Sequence, residues 1–85
     1  MFLYSAHFTK QFRKLNDKTQ TKIEKCLSIL VNYEFNPSLN NHRLHGEYSK
    51  YRSINITGDI RLVYQKIDEN TYFLVDVGTH SQLYK

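Results

Sequence analysis

From Tyr48 to Val77 the chain alternates in polarity with a period of two, and short polar turns break it twice. In the first run, residues 48–56, Arg52, Ile54 and Ile56 share one side, with Tyr51, Ser53 and Asn55 opposite. In the second, residues 60–67, Ile60, Leu62 and Tyr64 oppose Arg61, Val63 and Gln65. Residues 72–77 make the third. Thr57-Gly58-Asp59 and Asp68-Glu69-Asn70 separate the runs. Such alternation assigns one set of side chains to each face of a sheet, and turns this short join antiparallel neighbours. The stretch therefore predicts a β-meander that must bury one face.

The cover for that face is written upstream. Phe8, Phe12 and Leu15 make one apolar stripe in a predicted helix over 7–15, entered from Ser5 or His7. Asn16-Asp17 interrupts the pattern, and Asp17 is the expected N-cap of a second helix over 18–33. There Ile23, Cys26, Leu27, Leu30 and Val31 recur at the spacing of a helix packed on a core. Phe2-Leu3-Tyr4 reads as a short leading strand, and residues 35–46, with Pro37 and Gly46, as a loop. The order β-α-α-β-β-β predicts an α+β fold, two N-terminal helices packed on one side of an antiparallel sheet. The other sheet face is left for a concave, partly polar site.

At 85 residues the chain is expected to form one domain, 1–85. A domain of that size buries roughly 60–65% of its unfolded surface. No run approaches the roughly 20 apolar residues of a membrane span, and no basic segment opens the chain as in a signal peptide. Cys26 is the only cysteine, so no internal disulfide can form, and a reducing, cytoplasmic setting is expected. Net charge is +4 and the sequence holds seven Tyr and five Phe. Lys10, Arg13 and Lys14 on the first helix, with Lys18, Lys22 and Lys25 on the second, supply six of the twelve Lys and Arg residues. They read either as a solvated face or as a track for nucleic-acid phosphates.

Leu44-x-Gly46, Tyr51-Arg52, Gly58-Asp59-Ile60-Arg61-Leu62-Val63-Tyr64 and Gly78-Thr79-His80-Ser81-Gln82-Leu83-Tyr84 together resemble the RelE/ParE toxin superfamily. The ending and His42 look most like its YafQ branch. The resemblance spans nearly the whole chain. It implies the toxin of a bacterial type II toxin–antitoxin pair, a RelE-like fold and a cognate antitoxin in a heteromeric complex. It also implies endonucleolytic cleavage of messenger RNA on the ribosome, without cofactor or metal.

Metal-free RNA cleavage needs a base for the ribose 2′-OH, an acid for the 5′ leaving oxygen and positive charge for the phosphorane. The resemblance assigns these roles to particular residues. His80 matches the C-terminal catalytic histidine and is expected as the general acid. His42 is a base or phosphate ligand, and Asp59 matches a catalytic aspartate, although Gly-Asp is also ordinary turn chemistry. Arg61 matches the phosphorane-stabilising arginine; within an apolar strand it must face a polar cleft or a partner. Tyr84 matches a base-stacking aromatic. Arg52 and Asn55 join the lysines as expected RNA contacts, with a structural pairing as the competing role for Arg52. Asn55 stands where the branch carries a further histidine, and an amide moves no proton at neutral pH. His45 reads as a loop residue and His7 as a helix-start residue. The histidines lack metal-ligand spacing. A gyrase inhibitor like ParE, or a decayed toxin kept as an antitoxin-binding module, remains compatible with the same fold.

Overall fold

The computed structural model describes residues 1–83. The elements run β1 (Phe2–Tyr4), α1 (Ala6–Arg13), α2 (Asp17–Asn32), β2 (His42–Arg43), β3 (Arg52–Asn55), β4 (Ile60–Asp68), β5 (Thr71–Thr79) and α3 (His80–Leu83). Short 3-10 turns lie at Pro37–Leu39 and Gly46–Tyr48. The α+β arrangement is the one expected, with two helices leading into a meander.

Both long helices begin at a side-chain cap. Ser5 Oγ accepts the Phe8 N–H at 2.9 Å, and Asn16 Oδ1 accepts the Thr19 N–H at 2.8 Å. The second cap is thus Asn16 rather than Asp17. Asp17 opens the helix itself, where its charge suits the positive end of the dipole. Phe8, Ile23, Cys26, Leu27 and Leu30 meet Ile54, Ile56, Leu62, Tyr64, Leu74 and Val77 in one core. Burial pushes the Cys26 thiol above its ordinary range, as suits a space-filling rather than a reactive cysteine. Val31, expected on the core stripe, lies 52% exposed at its margin.

The sheet is mixed and five-stranded, in the order β1-β5-β4-β3-β2. β1 runs parallel to β5, pairing Phe2–Tyr72 through Tyr4–Leu74, while the other pairings are antiparallel. The expected all-antiparallel sheet is corrected there, because a pairing between the two ends of a chain leaves no local trace. The expected loop over 35–46 contains β2, whose two residues pair with Ser53 and Arg52. Conversely, residues 48–51 are not strand. Tyr48 closes a 3-10 turn and β3 starts only at Arg52.

The β4–β5 ladder slips by one residue between Val63–Asp76 and Tyr64–Leu74. Val75 is the extra residue, a β-bulge in the strand that leads to the C-terminal helix. Ser5 locks it from the side, since Ser5 Oγ donates to the Val75 carbonyl at 2.8 Å while capping α1.

Leu62 is fully buried at the centre of the sheet. Leu62→Ala is expected to lower stability by about 3 kcal/mol in urea unfolding, and Val31→Ala by less than about 0.5 kcal/mol.

Candidate active site

The sheet face turned away from α1 and α2 holds a cleft of about 940 Å³. Arg61 and Val63 of β4 and Val75 and Asp76 of β5 form its floor. Alternation explains Arg61 and Val63, because Leu62 and Tyr64 between and beside them enter the core. One wall comes from β2 and the segment after it, with His42, Arg43, His45, Tyr48 and Tyr51; His80 and Leu83 of α3 close the other end.

His80 is set by a reciprocal cap. The Thr79 N–H donates to Gln82 Oε1 at 2.8 Å, and the Gln82 N–H donates to Thr79 Oγ1 at 3.2 Å. A Cβ on Gly78 would meet that same Gln82 Oε1 at 2.7 Å, so the glycine leaves room for the cap. The His80 N–H donates to the Asp59 carbonyl at 3.2 Å, which ties α3 to the β3–β4 turn.

His42 lies exposed on the opposite wall. Its Nδ1 is 3.0 Å from the Asn40 carbonyl. A carbonyl only accepts, so Nδ1 carries the hydrogen and Nε2 of the neutral ring carries the lone pair. Asn40 adopts a left-handed conformation, with φ of 46°, one that asparagine tolerates better than most residues. Arg61 is anchored by its head. Nη1 donates to the carbonyls of Thr57 at 3.0 Å, Gly58 at 3.2 Å and Ile60 at 3.4 Å.

A polar network on the covered face supports the His42 wall. Asn41 Nδ2 donates to Tyr64 Oη at 2.7 Å and to the Glu34 carbonyl at 3.1 Å, and Arg52 Nε donates to Asn41 Oδ1 at 2.7 Å. Tyr64 Oη donates to Glu34 Oε2 at 2.7 Å, and Lys66 Nζ donates to Glu34 Oε1 at 2.8 Å. Burial, reinforced by Glu34, pushes the Tyr64 phenol far above its ordinary value and keeps it a donor. Burial alone would raise the Glu34 carboxyl, but the bonds from Lys66 and Tyr64 outweigh it and hold the value low.

Of the residues expected at the site, the cleft brings together His42, Arg61 and His80. Asp59 meets the site through its backbone; its side chain is exposed in the turn and is not on the cleft wall. Arg52 faces the other way. It shares the side of Ile54, bonds Asn41 and lies with Cζ 5.1 Å from the Phe35 ring centre, so its place is in the supporting network rather than the cleft. Asn55 pairs with Arg61 across the strands, but its Oδ1 is buried with no hydrogen-bond partner among the described residues, and it does not line the cleft. Lys10, Arg13, Lys18 and Lys22 belong to the helices behind the sheet, and Lys14 is the C-cap of α1. Lys18, Lys22 and Lys25 edge a second groove beside Ile56 and Thr57, next to the turn that anchors Arg61. Tyr84 falls outside the described residues. Among the described residues no His, Cys, Asp and Glu side chains gather in a metal-binding group of three or more.

Sequence reasoning missed Arg43, His45, Tyr48, Tyr51 and Asp76 as cleft-lining residues. Asp76 had a readable signal, the one that singled out Arg61: a charge inside an apolar strand.

A two-helix, five-stranded fold of this kind is that of small bacterial toxins. YafQ from E. coli superposes with a TM-score of 0.84 at 20% identity, over 100% of this chain and 98% of that one. A metal-bound toxin from Helicobacter pylori is 30% identical, with a TM-score of 0.77 over 99% and 98% of the two chains. A chain of the E. coli DinJ–YafQ toxin–antitoxin complex matches at 21% identity and a TM-score of 0.82, over 100% and 97%. No curated protein sequence gives a significant match. Residues 1–85 match the sequence model of the YafQ family, bacterial toxins of type II toxin–antitoxin systems, and the chain belongs to that family.

The depressed Glu34 value gives a pH test of the network. Above the ordinary glutamate value of 4.5 the paired carboxylate stabilises the fold in full, and this is lost as pH falls from there through the lower folded-state value. In urea unfolding the stability gap between the protein and Glu34→Gln is expected to narrow across that acid window. A gap that stays constant there would show that the carboxylate charge contributes nothing.

Proposed function

We propose that this toxin is an endoribonuclease that cuts messenger RNA on the ribosome and is held inactive by a cognate antitoxin protein. The carrying observation is the meeting of His42, Arg61 and His80, from β2, β4 and α3, around one open cleft. The E. coli DinJ–YafQ complex supports the antitoxin.

The ribose 2′ oxygen attacks the adjacent phosphorus while His42 Nε2 takes its proton. Arg61, already gripped at Nη1, holds charge near the phosphorane as a planar cation. The bond from phosphorus to the 5′ oxygen breaks as His80 delivers a proton to that oxygen. The products are a 2′,3′-cyclic phosphate and a 5′-hydroxyl. Side chains supply acid, base and cation, so the mechanism requires no metal. Asp59 acts as a positioning residue, through the carbonyl that holds the start of α3. Lys18 and Lys22, with Lys25, lead RNA or ribosomal phosphates toward the β3–β4 turn, and Lys10, Arg13 and Lys14 extend the basic surface. Tyr84 is retained as the stacking aromatic. The site of action is the cytoplasm, where translating ribosomes are.

Purified toxin added to translating ribosomes is expected to give codon-phased cuts with 5′-hydroxyl ends. His80→Ala and Arg61→Ala should each slow cutting by about 10²–10⁴-fold. An intact messenger under conditions where a sister toxin cuts would reject the ribonuclease reading, and loss of gyrase supercoiling instead would favour a ParE-like role.

A further inference from the structure

Asp76 is the one carboxylate lining the cleft among the described residues, and the mechanism above does not use it. Its place there is built. The bulge at Val75 resets the alternation of β5 and puts both Val75 and Asp76 on the cleft floor. β1 pairs with β5 only as far as Leu74, so the edge of β5 beyond it is open to α1. From the first turn of α1, His7 Nε2 reaches Asp76 Oδ1 at 3.0 Å, and the Val77 N–H donates to that same oxygen at 2.8 Å. Only Oδ1 is engaged among the described residues.

A carboxylate beside a phosphate-binding arginine repels phosphate, so its ligand must be a hydrogen-bond donor. Single-stranded RNA offers such donors on the edges of its bases. Asp76 opposes Val63, two residues from Arg61 on the same face of β4, a step of roughly 7 Å along the strand. That step is comparable to the reach from a nucleotide's phosphate to its base. Tyr48 and Tyr51 on the wall that follows β2 offer rings on which a base can stack.

We propose that Asp76, held in place by His7, selects the base beside the cut by accepting a hydrogen bond from an exocyclic amino group. Adenine, cytosine and guanine carry such a group; uracil does not, and its one ring donor, N3–H, lies between two carbonyl oxygens that a carboxylate repels. Asp76 is the specificity-determining residue and His7 the positioning residue behind it. The proposal rests on the ribonuclease reading.

The test is a sequencing map of the cut ends on translating ribosomes, made with the unaltered toxin and with Asp76→Asn, His7→Ala and His7→Gln. An amide donates as well as accepts, so Asp76→Asn should admit uracil and raise its share at one position flanking the cut by about tenfold. His7→Ala should relax the choice in the same direction. His7→Gln, which keeps a donor, should restore it, a rescue that a purely structural role of His7 would not tie to base choice. Thermal melts establish that each variant is folded. An unchanged base distribution in Asp76→Asn overturns the proposal and leaves the ribonuclease standing. A folded Asp76→Asn that cuts nowhere overturns it too, by making Asp76 part of the chemistry. No cutting by the unaltered toxin overturns this proposal and the ribonuclease reading together.

Discussion

The antiparallel pairing of β4 with β5 through the middle of the sheet is the constraint on which the rest of the molecule depends. Leu62, Tyr64, Leu74 and Val77 project from one side of this ladder into the core beneath the helices. Arg61, Val63, Val75 and Asp76 project from the other into the cleft. Burial of the first set drives folding, and strand geometry then leaves no choice about where the second set goes. The cleft floor is in this sense a by-product of the core. The bulge at Val75 is the departure from strict alternation that shapes the cleft, since it brings a carboxylate onto a floor that would otherwise hold only Arg61 as a charge.

The cleft walls are held differently from its floor. β2 is two residues long and has little backbone pairing of its own. Its position rests on Asn41, just before it, which is fastened from behind by Tyr64, Arg52 and the Glu34 carbonyl. Removing one member would strand a partly buried partner, and such losses exceed the worth of a single exposed bond. Tyr64 belongs to both layers: its ring fills the core and its hydroxyl completes the network. At the other wall, the start of α3 is fixed by Thr79, Gln82 and the Asp59 carbonyl. The two histidines of the proposed acid–base pair are therefore carried by segments tied back to the sheet rather than by free loops.

Two further charges illustrate how placement changes role. Arg52 and Arg61 both sit in apolar strands, and both were expected to touch RNA. Arg61 falls on the open face, whereas Arg52 falls on the covered one and is consumed by Asn41 and the Phe35 ring. By sequence His7 is only a helix-start residue. It becomes the partner of Asp76 because β1 ends at Leu74 and lets the first turn of α1 reach the edge of β5.

The sequence by itself determined the α+β class, both helices, the meander and its turns, and the outward orientation of Arg61. All of these follow from periodicity and local turn chemistry, which act over a few residues. With the family resemblance it also pointed to His42 and His80. Only the tertiary structure decided that β1 pairs in parallel with β5, that β2 exists, and that Val75 bulges. It alone moved Arg52 and Asn55 off the cleft wall and drew His7 to Asp76. Each of these depends on contacts between segments tens of residues apart, whose register is set by the competition of whole surfaces for burial, and no local pattern records the outcome.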